Sequence, residues 1–185
     1  MRPRGTMRMT ASDEDLAKAA ALGDGAAFAS LLGRHYDRLF RLCFRLTGGR
    51  AEAEDLCQDI CAALPAKLRA FRGEAKVTTW LWRVAVNASH DRRRRRATYV
   101  RASEGWGDWE TARQDAIAEG RERADWLMAA LARLPEDLRD TLALVLDEVS
   151  HAEAGAILGV SEGTVSWRVS EAKKRLRALR AAEEA

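Results

Sequence analysis

The chain has few of the residues on which covalent or metal-based chemistry depends. Its 185 residues include only three cysteines and three histidines, and no CxxC, HExxH or glycine-rich phosphate loop occurs. An odd number of cysteines without a secretory context argues against a disulfide framework. The sequence therefore contains no motif that indicates catalysis, and we predict no catalytic residue, metal or cofactor.

Long apolar runs and strand patterns are missing too. Apolar runs such as Leu142–Leu146 are far too short to cross a bilayer, and Met1–Thr10 lacks the apolar core of a signal peptide. No alternating pattern of useful length predicts a β-strand. We therefore expect an all-α protein of the cytoplasm that does not insert into a membrane.

The composition fits two small ordered domains. Hydrophobic residues make up 47% of the chain and charged residues 32%, which excludes compositional disorder. The net charge of +3 conceals an acidic segment at 101–120 between basic ones. We predict an N-terminal segment with a short helix (1–24), a helical domain (25–96), a flexible linker (97–122) and a helix-turn-helix domain (123–182).

Capping residues and helix breakers locate the helices. Ser12, with Asp15 three residues later, predicts a cap on a first helix that ends near Gly23. The other predicted features are a helix over about Ala26–Leu46, a helix from about Ala51 disturbed at Pro65, a loop over Arg72–Lys76, a fourth helix, a helix ending at Leu134 before Pro135, a helix over Leu138–Val149, and the helix-turn-helix pair.

The fourth helix joins an apolar face to a basic run. The apolar face comprises Trp80, Leu81, Val84, Ala85 and Ala88 at helical spacing. Asn87 and His90 point elsewhere, and five arginines follow at Arg92–Arg96. Consecutive arginines favour a polyanion, although a solvated helix end explains the run equally well on its own.

The C-terminal part carries a helix-turn-helix pattern. Gly155, a small residue, lies where two helices touch, and Gly159-Val160-Ser161 supplies a turn and an N-cap. On the second helix, one face is predicted to be buried: Val165, Val169, Ala172, Leu176 and Leu179. Trp167 and Lys174 fall opposite that face, which indicates an exposed recognition surface.

The cysteines and histidines allow a metal site in principle. Cys57 and Cys61 share a helical face, and His35, Cys43 and His90 are further possible ligands. All three cysteines, however, stand within apolar series. We therefore predict that they are core residues.

Together these motifs resemble the bacterial sigma factors of the extracytoplasmic-function group of the sigma-70 family. The resemblance covers roughly Phe28–Ala181. It depends on the order and spacing of Ala53-Glu54-Asp55-Leu56-Cys57-Gln58-Asp59, the block from Phe71-Arg72-Gly73 to Asn87 with Thr79-Trp80-Leu81, and Leu134-Pro135 followed by Gly163-Thr164-Val165 and Arg168.

The resemblance implies partners: core RNA polymerase (its β′ clamp helices and β flap), promoter DNA and an anti-sigma factor. It implies a stress-responsive initiation factor that captures a flipped base of the minus-ten element. By resemblance, the polymerase contacts are Asp55, Leu56, Gln58 and Asp59, and the minus-ten contacts are Phe71, Arg72, Gly73, Glu74, Ala75, Lys76, Asn87, His90, Asp91 and Arg94. The implied minus-thirty-five contacts are His151, Ser161, Thr164, Ser166, Trp167, Arg168, Ser170, Glu171 and Lys174.

Some positions depart from the family pattern. Cys61 and Pro65 replace aromatic residues, from which we expect a shorter docking helix, and Glu153-Ala154-Gly155 replaces a Glu-Ile-Ala run. Two other functions stay open: a helix-turn-helix regulator that does not replace the housekeeping sigma factor, and a redox or zinc-binding helical enzyme.

Overall fold

The computed structural model describes residues 11–102 and 120–183, with side chains for 11–98 and 126–183. Every regular element in these ranges is an α-helix. None of the helices described there is long and apolar enough to span a membrane. The helices are α1 Asp13–Ala21, α2 Gly25–Thr47, α3 Arg50–Leu68, α4 Val77–Ala102, α5 Gly120–Ala132, α6 Glu136–Val145, α7 His151–Leu158 and α8 Glu162–Glu183.

Caps set the ends of the first two helices as predicted. The Ser12 hydroxyl accepts a hydrogen bond from the Asp15 N–H, 3.1 Å away, at the start of α1. The Asp24 carboxylate accepts from two backbone N–H groups at the start of α2. Gly48 ends α2 with a φ of +80°, a left-handed conformation that glycine adopts without strain. The predicted termini of both helices are confirmed to within a residue or two.

Two predictions about helix ends are wrong. Helix α3 continues through Pro65 to Leu68, so the docking helix is not shortened there. Proline removes only its own N–H donor, and buried Leu64 and Leu68 hold the last turn against the core. Helix α6 ends at Val145 rather than Val149, and Glu148 then adopts a left-handed φ of 63°.

Helix α4 extends further than the sequence predicts. It continues to Ala102, and α5 begins at Gly120, so helical structure enters both ends of the predicted linker. Residues 103–119, which include Trp106 and Trp109, lie outside the described residues. The division into domains remains a prediction.

Helices α1 to α4 build the N-terminal core. Leu39, Leu42 and Leu46 of α2 are 0–1% exposed, and Leu56 and Ile60 of α3 pack in the same cluster. The predicted apolar face of α4 is confirmed, but the buried surface of this helix is wider than predicted. It also includes Val77, Trp82, Val86 and Ser89.

The helix-turn-helix depends on close backbone approach at Gly155. A Cβ atom there would lie 2.7 Å from the Val160 carbonyl oxygen, so only glycine fits without a shift. Ser150 and Glu153 form a capping box at the start of α7, and Gly159 ends it with a φ of 70°. Val165 and Val169 of α8 are buried as predicted, and Ala172 packs against Leu131, Leu138 and Leu142.

The N-terminal and C-terminal halves pack directly against each other. Buried residues of both halves belong to one continuous apolar cluster, in which Leu144 and Ile157 lie with the leucines of α2. A Cβ atom on Gly48 would lie 2.6 Å from the Cβ of Ala132, which shows how closely α2 and α5 approach. The sequence predicted two domains on a flexible linker but did not predict this shared interface.

Candidate nucleic-acid interface

The predicted polymerase-docking residues divide by exposure. Asp55, Gln58 and Asp59 are exposed on α3. Leu56 is 1% exposed and lies in the core, so it is withdrawn from the contact surface. Arg92 of α4 bridges the two acids, with Nη2 2.9 Å from Asp55 Oδ2 and Nη1 3.4 Å from Asp59 Oδ2. These ion pairs therefore connect the exposed acids of α3 to Arg92, the first residue of the arginine run on α4.

The predicted base-capturing loop joins α3 to α4. Arg72, Gly73 and Glu74 are exposed, and Gly73 has a φ of +74°. Phe71 is half-buried because its ring packs on Trp80, with centroids 5.2 Å apart. The structure therefore presents a short polar loop on an aromatic base. Ala75 and Lys76 complete the loop.

Helix α4 brings the other predicted minus-ten residues onto one helix. Asn87, Asp91 and Arg94 are exposed, and Arg94 forms an ion pair with Asp91. His90 instead bonds to Asp140 of α6, with Nε2 2.7 Å from Oδ2. The amide of Asn87 is thus open to a partner, while the His90 ring is engaged within the protein.

The recognition helix α8 presents an open face. Trp167 is 61% exposed, and Ser170 and Lys174 are exposed beside it. The Ser161 hydroxyl accepts from the Thr164 N–H at 3.1 Å and so caps the helix. The positive N-terminal end of a capped helix suits contact with phosphate, and the exposed side chains suit contact with bases.

Several predicted minus-thirty-five residues have partners inside the protein. The side chain of Arg168 is 18% exposed and lies 3.5 Å from Asp137 of α6. Glu171 bonds to Arg175 one turn further on, at 2.9 Å. The remaining pair is His151 and Ser166, whose Nδ1 and Oγ atoms are 2.9 Å apart. The Arg168 and His151 contacts brace α8 against α6 and α7, whereas the Glu171 contact lies within α8.

Sequence reasoning missed the charged contacts between the two halves. Asp140 is 2% exposed and binds Arg93, with Oδ1 3.0 Å from Nη1. Asp147 is 6% exposed and lies 3.1 Å from Nη2 of Arg38. The available signal was the position of Asp140 within an apolar segment and the spacing of the two acids, two helical turns apart.

The three thiols form a cluster in the core. Cys43 and Cys57 are buried, and Cys61 is half-buried. Hydrogen bonding with Cys43 and burial raise the pKa of Cys57 to about 11, and hydrogen bonding with Cys57 and burial also raise the pKa of Cys61. Protonated thiols are poor nucleophiles and poor ligands. No metal-binding group of three His, Cys, Asp or Glu residues lies within the described part of the chain.

Comparisons with known proteins match both halves. The sequence matches the family Sigma-70 region 2 over residues 31–99 and Sigma-70, region 4 over residues 124–176. It is 36% identical over 174 residues to the ECF RNA polymerase sigma factor SigM of Mycobacterium tuberculosis H37Rv, covering 91% of this chain and 84% of SigM. It is 29% identical over 167 residues to the ECF RNA polymerase sigma factor SigW of Bacillus subtilis, covering 84% of this chain and 89% of SigW.

A solved structure shares the fold. The sigma factor RpoE of Bartonella quintana, in complex with the anti-sigma factor NepR, matches with a TM-score of 0.71 and 28% identity. The match covers 83% of this chain and 96% of that chain. The prediction of an all-α fold with two helical domains is therefore confirmed, and the predicted bounds of those domains stay a prediction.

Proposed function

The chain belongs to the extracytoplasmic-function RNA polymerase sigma factors of the sigma-70 family, and on that premise we propose how its own residues divide the work of promoter recognition. The observation that carries the proposal is the presence of two separate polar surfaces, on α4 and on α8, each built on a buried apolar face. The protein acts in the cytoplasm together with polymerase.

Helix α3 provides the polymerase-docking surface. Asp55, Gln58 and Asp59 project from one exposed side, while Leu56 and Ile60 fix the other side in the core. Carboxylates on a rigid helix suit a basic partner surface on the β′ clamp helices, because the geometry of the contact is set before binding. The C-terminal domain binds the β flap.

The loop 71–76 and the exposed side of α4 bind the minus-ten element. The loop holds a base of the non-template strand outside the duplex, which offsets a few kcal/mol of unstacking. Asn87 lies exposed on α4, where its amide can donate to and accept from one base edge. Arg94, Arg95 and Arg96 are exposed beyond it and bind phosphate.

Helix α8 enters the major groove of the minus-thirty-five element. Trp167 and Ser170 contact bases, and Lys174 contacts phosphate. Arg168 pairs with Asp137 of α6, so we propose that it positions the helix, and Glu171 pairs with Arg175 within α8 itself. His151 and Ser166 link α7 to α8, and they reach DNA only where that link opens. Thr164 and Ser161 bring the N-terminus of the helix to a phosphate.

An anti-sigma factor restrains the protein until a stress signal releases it. Support comes from RpoE of Bartonella quintana, which was solved in complex with the anti-sigma factor NepR. Among the alternatives, a regulator that does not replace the housekeeping sigma factor would need no docking surface on α3. The exposed acids of that helix therefore favour the sigma-factor proposal.

Reconstituted transcription tests the proposal. The purified full-length chain is added to core polymerase lacking any sigma factor, on a library of promoter fragments, and transcripts are mapped. We expect transcripts from one promoter class, with a shared minus-ten and minus-thirty-five sequence. If the chain binds duplex DNA tightly and specifically by itself yet leaves core polymerase inactive, the regulator alternative is correct instead.

A further inference from the structure

A buried carboxylate of the C-terminal half is neutralised by the helix proposed to contact the minus-ten element. Asp140 is 2% exposed on α6. Its Oδ1 lies 3.0 Å from Arg93 Nη1, and its Oδ2 lies 2.5 Å from Arg93 Nη2 and 2.7 Å from His90 Nε2. An isolated buried carboxylate is costly, so this contact stabilises the packed arrangement only while α4 stays in place.

A second buried carboxylate of the C-terminal half is also paired with arginines of the N-terminal half. Asp147 is 6% exposed and follows the C-terminus of α6. Its Oδ2 lies 3.1 Å from Arg38 Nη2, and its Oδ1 lies 3.4 Å from Arg45 Nη1, both on α2. Asp140 and Asp147 are the buried acids within residues 11–98 and 126–183, and each is paired across the same interface.

The two side chains that contact Asp140 belong to the basic surface of α4. His90 lies one helical turn after Asn87, and Arg93 lies within the arginine run. Arginine binds carboxylate and phosphate with the same paired N–H geometry, so an aspartate and a DNA phosphate compete for it. While Asp140 holds Arg93, this cation is withdrawn from nucleic acid.

The interface between the two halves is open to solvent on one side, so a charged side chain there can change its partner. A cleft of about 470 Å³ separates α4 from α6 and α8, and Arg93, Asp140 and Arg168 line it. Water and ions that enter the cleft reach Arg93, whose side chain is 19% exposed, and this access lowers the cost of separating Arg93 from Asp140. Further weak links cross the interface: Lys76 Nζ lies 3.8 Å from Glu153, and Arg83 donates to the Ala156 carbonyl at 3.4 Å.

We propose that Asp140 and Asp147 form a releasable latch that closes the C-terminal domain onto α4 in the free chain, with Asp140 acting as an internal competitor that withdraws Arg93, and the His90 ring beside it, from DNA. The inference rests on the proposed function, because it assigns α4 to the minus-ten element. Polymerase and promoter binding open the latch, and the phosphate backbone replaces Asp140 as the partner of Arg93. A closed population lowers the apparent affinity of the free chain for DNA in proportion to the fraction that is open.

The test uses the full-length chain with Asp140→Asn and Asp147→Asn, alone and combined. Asp37→Asn is the control, since Asp37 is an exposed α2 carboxylate whose replacement removes the same charge. Small-angle scattering measures the radius of gyration, and fluorescence anisotropy measures binding to a single-stranded minus-ten oligonucleotide taken from the mapped promoter. Circular dichroism checks that helicity is retained.

We expect both latch variants to be more extended than the parent and to bind the oligonucleotide more tightly, by roughly three- to tenfold. Asp147→Asn is the decisive variant, because its partners Arg38 and Arg45 lie outside the proposed DNA surface. It therefore reports opening rather than a local change at Arg93. It also keeps the test valid if Asp140→Asn loses helicity.

Two outcomes overturn the latch. Either the variants stay as compact as the parent, or they open but bind the oligonucleotide no better than the Asp37→Asn control. Transcription with core polymerase, run in parallel with the parent chain, separates the two claims. Promoter-specific transcripts together with unchanged latch variants refute the latch alone, whereas absence of transcripts from the parent refutes the proposed function.

Discussion

The two proposed DNA-reading surfaces are built alike but are differently occupied. Both lie on a helix whose opposite face is buried. On α8 the central residue Trp167 is 61% exposed, and Ser170 and Lys174 stand open beside it. On α4, His90 and Arg93 are held by the buried carboxylate of Asp140, and only part of the surface, including Asn87, is open.

From this difference we infer that the two proposed surfaces would meet DNA at different stages. An open surface can bind duplex as soon as it arrives, whereas an occupied one needs a competitor strong enough to displace its internal partner. The minus-ten strand becomes single-stranded only after polymerase has begun to melt the promoter. A surface that is masked until then avoids unproductive binding to other polyanions.

The largest expected effect comes from a change that disables both surfaces together. Asp55→Lys with Asp59→Lys reverses two charges on the exposed side of α3 and should abolish association with core polymerase. Arg92 bridges the two acids in the parent chain. It would repel the two new lysines, and this repulsion further disturbs the docking surface of α3. Co-purification and run-off transcription measure the effect.

The matched control for this variant is Glu14→Lys with Asp37→Lys, which makes the same charge change on α1 and α2. Circular dichroism should show unaltered helicity in both. If the double mutant of α3 competes for core polymerase as well as the parent, the docking assignment is wrong.

The next effect separates the two surfaces. Trp167→Ala should weaken binding to the cognate minus-thirty-five duplex by about 1–3 kcal/mol and leave scrambled duplex nearly unchanged, since base contacts carry specificity. Lys174→Ala should weaken both duplexes alike and lower the slope of the salt dependence by about one unit. Salt-titrated binding of the full chain measures both. Equal, sequence-independent losses for the two variants would show that the face of α8 is assigned wrongly.

Asn87→Ala should act only on the other surface. We expect unchanged duplex binding and a loss of promoter opening worth about 1–3 kcal/mol, because the base that Asn87 reads becomes available only after melting. Permanganate reactivity of unpaired thymines, measured with core polymerase present, reports opening. Normal opening by this variant would remove Asn87 from the minus-ten surface.

A smaller effect concerns the scaffold of the open surface. Ser150→Ala removes the capping box at the start of α7 and should lower the unfolding free energy by about 1 kcal/mol. The Ser150 hydroxyl lowers the pKa of Glu153, so the contribution of the Glu153 carboxylate is fully present above the ordinary pKa of a glutamate and is lost as the pH falls through the lowered pKa of the folded state. Urea unfolding at pH 7 and pH 3.5 measures both. A pH-independent loss would show that the Glu153 half of the box contributes nothing.

The smallest effect concerns the scaffold of the masked surface. Partial burial raises the pKa of Asp13, but hydrogen bonds from Arg34 and His35 outweigh it, so the pKa lies below its ordinary value. The stability from this carboxylate is therefore present above about pH 4 and is lost as the pH falls through its folded pKa. Asp13→Asn should remove less than about 1 kcal/mol at pH 7 and make unfolding less acid-sensitive. Urea unfolding against pH, with Asp37→Asn as the control, measures this, and equal acid sensitivity in both variants would contradict it.

Local patterns were sufficient to predict most of the helices and the buried faces. A capping group such as Ser12 acts within a turn, and the period of the apolar residues on α8 reports directly which side is buried. The end of α6 was harder to predict, because the apolar residues Leu146 and Val149 follow after the helix has stopped at Val145. Helix α3 passes Pro65 because tertiary packing outweighs one lost hydrogen bond.

The exposure of the candidate site residues could be predicted from the sequence, but their contacts with other parts of the protein could not. The sequence placed Trp167, Asn87, Asp55 and Asp59 on polar faces, and the structure shows all four exposed. It did not reveal that Asp140 meets Arg93, because those residues are 47 positions apart and pair only once the two halves pack together. Contacts over such distances depend on tertiary geometry, which a local pattern does not contain.

Site-specific photocrosslinking tests the central claim most directly. A crosslinking amino acid is placed at position 87 or at position 167 of the full-length chain, and its DNA products are mapped with and without core polymerase. We predict that position 167 reaches the minus-thirty-five duplex, and that position 87 reaches the non-template strand of the minus-ten element only when polymerase is present. Crosslinking of position 87 to duplex DNA without polymerase, or of position 167 to the melted strand, would contradict the account.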